Sequence, residues 1–202
     1  MDLQKINVKF FVNDPDAFPL DRFIPLFNAW IQASDGEYYD IADYSHVPAG
    51  PGIVLVAHEA NVSMDNGGNR LGLLYSRKGP LQGPNGEKLR WTFKAALEYC
   101  RRIEEEPALQ GRLRFRGDEA LLLINDRLLA PNSEKTFLAV RPDLEHLARA
   151  LYGGADFVLE PDTGDPRRRF SVHIRASASF DVVGLFKNLE EQRPEVGARP
   201  FH

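Results

Sequence analysis

Cysteine occurs once in the chain, at Cys100, so no internal disulfide can form and the fold must rest on its apolar core. An excess of positive charge is also missing. Twenty-five Lys and Arg face 29 Asp and Glu, a formal charge of -4, which argues against a protein held to nucleic acid by bulk charge. The longest apolar runs, such as residues 120–124, fall far short of the ~20 residues that cross a bilayer, so no membrane span is expected. The N-terminal MDLQKINVKF has no basic stretch leading into an apolar one, and no secretory leader is expected from it. With the lone cysteine, this points to the cytoplasm. What the chain does have is 202 residues that are 43% hydrophobic, enough for a substantial core. One domain over residues 1–189 with a flexible tail at 190–202 is the expected organisation.

Residues 5–12 alternate Ile6, Val8, Phe10 and Val12 with Lys5, Asn7, Lys9 and Phe11, the period of a strand. Leu20, Phe23, Ile24, Phe27 and Ile31 then predict a helix, with Pro25 kinking its first turns. Residues 34–51, rich in Tyr, Asp, Gly and Pro, read as a long ordered loop leading into a hairpin. That hairpin is expected to pair residues 53–59 with 71–75 around the Asp65-Asn66-Gly67-Gly68 turn. Leu89, Phe93, Ala96, Leu97, Cys100 and Ile103 mark a long amphipathic helix. A second strand pair is expected, with Arg112, Arg114 and Arg116 on one face and a turn at Gly117-Asp118.

Asn132 or Ser133 caps a short helix, and Pro142 restarts it as a second one with Leu144, Leu147, Ala148 and Leu151 inward. A last pair, residues 155–159 with 169–175, precedes a helix capped by Ser179. The order is one strand-helix unit and three strand-strand-helix units. It predicts an α+β fold, a curved antiparallel sheet with helices mainly on one face.

Chemistry is sparse. Asp43, His46 and His58, with Glu59, offer two imidazoles and carboxylates, the ligands that Zn, Mn or Fe accept. Pro48, Gly50, Pro51 and Gly52 are expected to turn the loop back so that Asp43, His46 and His58 meet. No HExxH exists, because the residue four beyond His58 is Val62. Gly79, Gly83 and Gly86 before Lys88 imitate a phosphate loop, but Glu87 stands where the lysine belongs and Pro80 and Pro84 remove amide donors. Arg167, Arg168 and Arg169 share their loop with Glu160, Asp162 and Asp165, which can neutralise them. Cys100 lies on an apolar helical stripe and reads as a buried structural thiol. Tyr38, Tyr39 and Tyr44, with Arg77 and Lys78, are the candidate ligand-binding residues.

The segments DYSHVPAGPGIVLVAHEA (43–60), RLGLLYSRK (70–78) and INDRLLAPN (124–132) resemble those of a family of uncharacterised bacterial proteins of about this length. The resemblance implies no activity and assigns no residue a role. Two functions of different class are therefore expected. The first is a non-catalytic protein that binds a small ligand or a protein partner, a second copy of itself included. The alternative is a metal-assisted hydrolase or related enzyme built on Asp43, His46 and His58. No cofactor is identified.

Overall fold

Every residue of β1 (Ile6–Val12) is buried, on both faces, which the alternation of apolar and polar side chains along it does not by itself require. The reason lies in its position. In the computed structural model, which describes residues 1–15 and 18–191, β1 is followed by α1 (Phe23–Ala33), β2 (Tyr38–Tyr44), β3 (Gly52–Ala57), β4 (Ala60–Asp65), β5 (Gly72–Arg77) and α2 (Asn85–Glu104). Then come β6 (Phe115–Ile124), α3 (Glu134–Leu151), β7 (Phe157–Pro161), β8 (Phe170–Ala176) and α4 (Val182–Glu191). The eight strands form one sheet in the order β2-β3-β4-β5-β1-β6-β8-β7, with every neighbouring pair antiparallel. The fold is α+β, and β1 lies in the interior of its open sheet.

Period-two alternation divides the strands between two environments. Val8, Leu55, Val62, Tyr75, Leu122 and Ile174 belong to one hydrophobic cluster that also takes in buried residues of all four helices, such as Phe27, Phe93, Leu144 and Leu185. Phe10 meets Phe93 of α2 edge to face, with ring centroids 6.1 Å apart. Cys100 is fully buried on the same stripe of α2, and burial pushes its thiol well up, as a structural cysteine requires. The intervening residues Asn7, Lys9, Phe11, Val54, Ser63 and Leu74 are buried too, yet lie outside that cluster.

Several local expectations are corrected. Residues 38–44 are an edge strand, not loop. His58 and Glu59 form a tight turn, so β3 pairs with β4 through Ile53↔Met64 and Val56↔Asn61, and four strands lie between α1 and α2. β6 stands alone before α3: Phe10 faces Ala120 while Val12 faces Phe115, so residues 116–119 bulge instead of turning. Arg112 and Arg114 precede β6, and the three arginines separate: Arg112 lies over Phe18, Arg114 near Glu104, and Arg116 on Asp118. α3 runs through Pro142 without a restart, capped by Ser133, whose Oγ accepts from the Thr136 amide at 3.3 Å. At the start of α4 the capping side chain is Asp181, accepting from Gly184 at 2.7 Å, rather than Ser179. Residues 190 and 191 complete α4, and the rest of the expected tail, 192–202, lies outside the described residues. Among the described residues, no helix is long and apolar enough to cross a membrane.

Candidate functional site

Two rows of side chains cross the sheet on the face away from the helical core. Cα register places Val56, Asn61, Ser76, Asn7, Leu123 and Ser171 in one row, and Val54, Ser63, Leu74, Lys9, Leu121 and His173 in the next. Residues 49–51, 67–68, 77–78 and 168–169 border these rows and complete a cleft of about 820 Å³. One wall is pinned to another, since the Asn66 amide donates to the Gly50 carbonyl at 3.1 Å. The cleft floor therefore mixes amide, hydroxyl, ammonium and aliphatic groups on rigid strands.

Lys9 is the deepest charge, 2% exposed near the middle of the sheet. Its Nζ donates to Asp65 Oδ1 at 2.5 Å and to the Gly67 carbonyl at 3.2 Å. Burial pushes the ammonium below the usual lysine range, and Asp65 pulls it only part of the way back. Gly72 makes this reach feasible: a Cβ there would stand 2.4 Å from the Phe10 carbonyl oxygen and 3.0 Å from Lys9 Cε.

Beside the pair, Phe11 carries a cation on its face and an imidazole alongside. The Arg70 guanidinium lies 3.7 Å from the ring centroid, and His173 is parallel to the ring within 6°, at 6.2 Å. Arg70 and His173 both bind Glu119, a carboxylate only 3% exposed that also has Arg175 at 3.4 Å and Arg116 at 3.8 Å. The hydrogen bond from Arg70 is the main reason the Glu119 carboxyl is lowered to about 2. The cluster is pre-organised and fixes the Arg70 and His173 side chains at one end of the cleft.

Elsewhere hydrogen-bonding capacity is unused. Asn61 Oδ1 is buried with no partner among the described residues, a costly state for a polar atom. Around the rim, Arg169 and Lys78 make no carboxylate pair among the described residues, whereas Arg167 and Arg168 are neutralised by Asp165 and Asp162. The Lys78 ammonium lies 3.4 Å from the Tyr39 hydroxyl and 5.7 Å from the centre of its ring. An anion entering here would meet the Lys78 and Arg169 cations at the rim, and a hydroxyl or amino group on the same ligand could donate to Asn61 Oδ1 on the floor.

The residues singled out from sequence are distributed unevenly. Asp43 accepts from the Ser45 amide at 2.8 Å, and its carboxyl is lowered first by Ser45 and slightly by nearby His46. His58 is at the opposite end of β3, six residues or roughly 20 Å away along the strand. Asp43, His46 and His58 are thus not brought together. No group of three or more His, Cys, Asp or Glu side chains suited to a metal ion occurs among the described residues. Arg77 and Lys78 do line the cleft, but Tyr38 is buried on the helical side, and Tyr39 and Tyr44 stay exposed on the edge strand. The false phosphate loop is closed by the chain's own start: Asn85 Oδ1 accepts from the Leu3 amide, and the buried Lys88 pairs with Asp2.

Lys9, Asp65, Arg70, Glu119 and His173 were missed as a group. The signal available was the presence of Asn7, Lys9, Asn61, Ser63 and Asp65 at alternate strand positions, where one polar face is ordinarily just wet. No protein-family model matches the chain, and neither curated proteins nor solved structures give a match.

Proposed function

We propose that this protein is a binding module for a small anionic ligand rich in hydrogen-bonding groups, held in the cleft on the sheet face away from the helical core. One observation carries the reading: a sheet face outside the helical core is nonetheless buried and polar, with Lys9 at 2% and Asn7 at 3% exposure around a cavity of about 820 Å³. A face that merely met solvent would gain nothing from burying an ammonium and leaving Asn61 Oδ1 unpaired. The unpaired Lys78 and Arg169 supply attraction for negative charge, Asn7, Asn61 and Ser76 supply orientation, and Leu121 and Leu123 supply apolar contact. Metal-assisted hydrolysis at Asp43, His46 and His58 has no observation in its favour, because the strand β3 separates the histidines.

The test is thermal unfolding and calorimetry with inorganic phosphate, citrate, ribose 5-phosphate and adenosine monophosphate as probes. At least one probe should bind saturably, with affinity falling roughly three- to tenfold when Lys78 or Arg169 becomes alanine, and falling with salt. Ser76→Leu, which fills the floor, should abolish it. Absence of saturable binding by all four probes, or binding indifferent to these substitutions, would overturn the reading.

A further inference from the structure

A second cavity, of about 620 Å³, lies on the other side of the sheet, between the β3-β4 hairpin and α2. Its space follows from the sequence. Ala57 and Ala60 flank the hairpin turn and Ala95 faces them from α2, so small side chains stand where larger ones would close the layer. Large rings surround them. Tyr75 makes a 62° angle with Trp91 at 6.2 Å and a 30° angle with Tyr99 at 5.9 Å, and Tyr38 meets Tyr99 edge to face at 6.5 Å.

These rings already attract cations. The Arg77 guanidinium lies 4.7 Å from the Trp91 ring, and Arg102 lies 3.7 Å from Trp30 and 5.7 Å from Tyr38. Three carboxylates, Glu37, Glu59 and Glu98, border the cavity beside those two guanidiniums, and Glu98 is paired with Arg101 at 2.6 Å, so the charges around the cavity balance. Glu59 is held by Arg77 at 2.5 Å, and Glu37 accepts from the Tyr99 hydroxyl at 3.2 Å, so both carboxylates are fixed in place. Mostly carbon walls and several aromatic faces suit a weakly hydrated organic cation better than a metal ion or an anion.

We propose that this cavity is a binding site for a small monovalent organic cation of the quaternary ammonium type. Such a guest exchanges little hydration on entry and gains the negative faces of the rings. The cavity opens on the opposite side of the sheet from the anion cleft, and Arg77 borders both.

Choline titration followed by tryptophan fluorescence tests it, with 3,3-dimethylbutan-1-ol as the uncharged analogue of the same shape. Choline should quench saturably, and the alcohol should bind at least about fivefold more weakly, the loss of a desolvated cation–π contact. Trp91→Leu and Ala95→Leu should each abolish choline binding, measured by calorimetry. Ala95→Leu keeps every ring and removes only the space, so it decides the matter if Trp91→Leu fails to fold. Equal binding of the alcohol, choline binding that survives Ala95→Leu, or no saturation by about 100 mM choline would overturn the proposal.

Discussion

Arg70 clamps Glu119 with two parallel hydrogen bonds, Nη1 to Oε1 at 2.8 Å and Nη2 to Oε2 at 2.7 Å. The pair ties the segment before β5 to the bulge of β6 across β1, and the same guanidinium covers Phe11. A fork of this kind adds orientation as well as energy, and lysine could not replace it.

That pair sets an acid limit on stability. An unfolded glutamate titrates near 4.5, whereas Glu119 in the folded protein is lowered to about 2, chiefly by Arg70. The folded state therefore gains stability that is complete above about pH 4.5 and is lost as pH falls through 2. The difference amounts to roughly 3 kcal/mol. Urea midpoints measured from pH 7 to pH 2 should fall less steeply below pH 4.5 for Glu119→Gln than for the wild type, with the variant already weaker at pH 7. Parallel curves would remove Glu119 as the source.

Lys9 and Asp65 should behave as a coupled unit. Removing one partner strands a buried charge, so Asp65→Leu is expected to cost about 3 to 5 kcal/mol at pH 7, while Lys9→Met/Asp65→Leu together cost much less. Burial holds the Lys9 ammonium below its usual range, so the folded protein releases its proton before the unfolded chain does. Stability conferred at this site thus rises with pH between the lowered value and 10.5. For Asp65→Leu the deficit should shrink toward pH 10, as neutral Lys9 no longer lacks a counter-ion. A double-mutant cycle with coupling under about 0.5 kcal/mol would show an ordinary surface pair.

Periodicity revealed β1 and the stripe of α2 because each is a local pattern that tertiary packing reinforces, whereas capping preference alone left Asn132 and Ser133 as equal candidates for the cap that Ser133 provides. The His58-Glu59 turn carries no glycine, proline or asparagine, so it reads as two more strand residues and hides the start of β4. Pro142 misleads in the opposite way. It sits on the exposed side of α3, where water can take the hydrogen bond its ring removes, while Val140 and Leu144 keep the helix packed.

The cleft was half visible. Asn7, Lys9, Ser63 and Asp65 announce a polar face, but its concavity depends on walls at residues 49–51, 67–68 and 168–169, which are distant in sequence. Arg77 and Lys78 were found through charge alone. Lys9 resembles any solvent-facing strand lysine until β1 is known to be interior to the sheet.

The histidines provide the last prediction. The His58 side chain is 88% exposed at the β3-β4 turn, 3.9 Å from Glu59, and His46 is exposed in the loop before β3. A histidine wedged against a buried partner would cost about 1 to 3 kcal/mol on truncation. Here His46→Ala and His58→Ala should each change stability by no more than about 0.5 kcal/mol in urea unfolding at pH 7. Nor should either alter the thermal response to added zinc, since β3 holds the two imidazoles at opposite ends and no single ion can bridge them. A loss above about 1 kcal/mol in both variants, or a zinc-induced stabilisation that both abolish, would mean that the two imidazoles share one site and that the register of β3 is wrong.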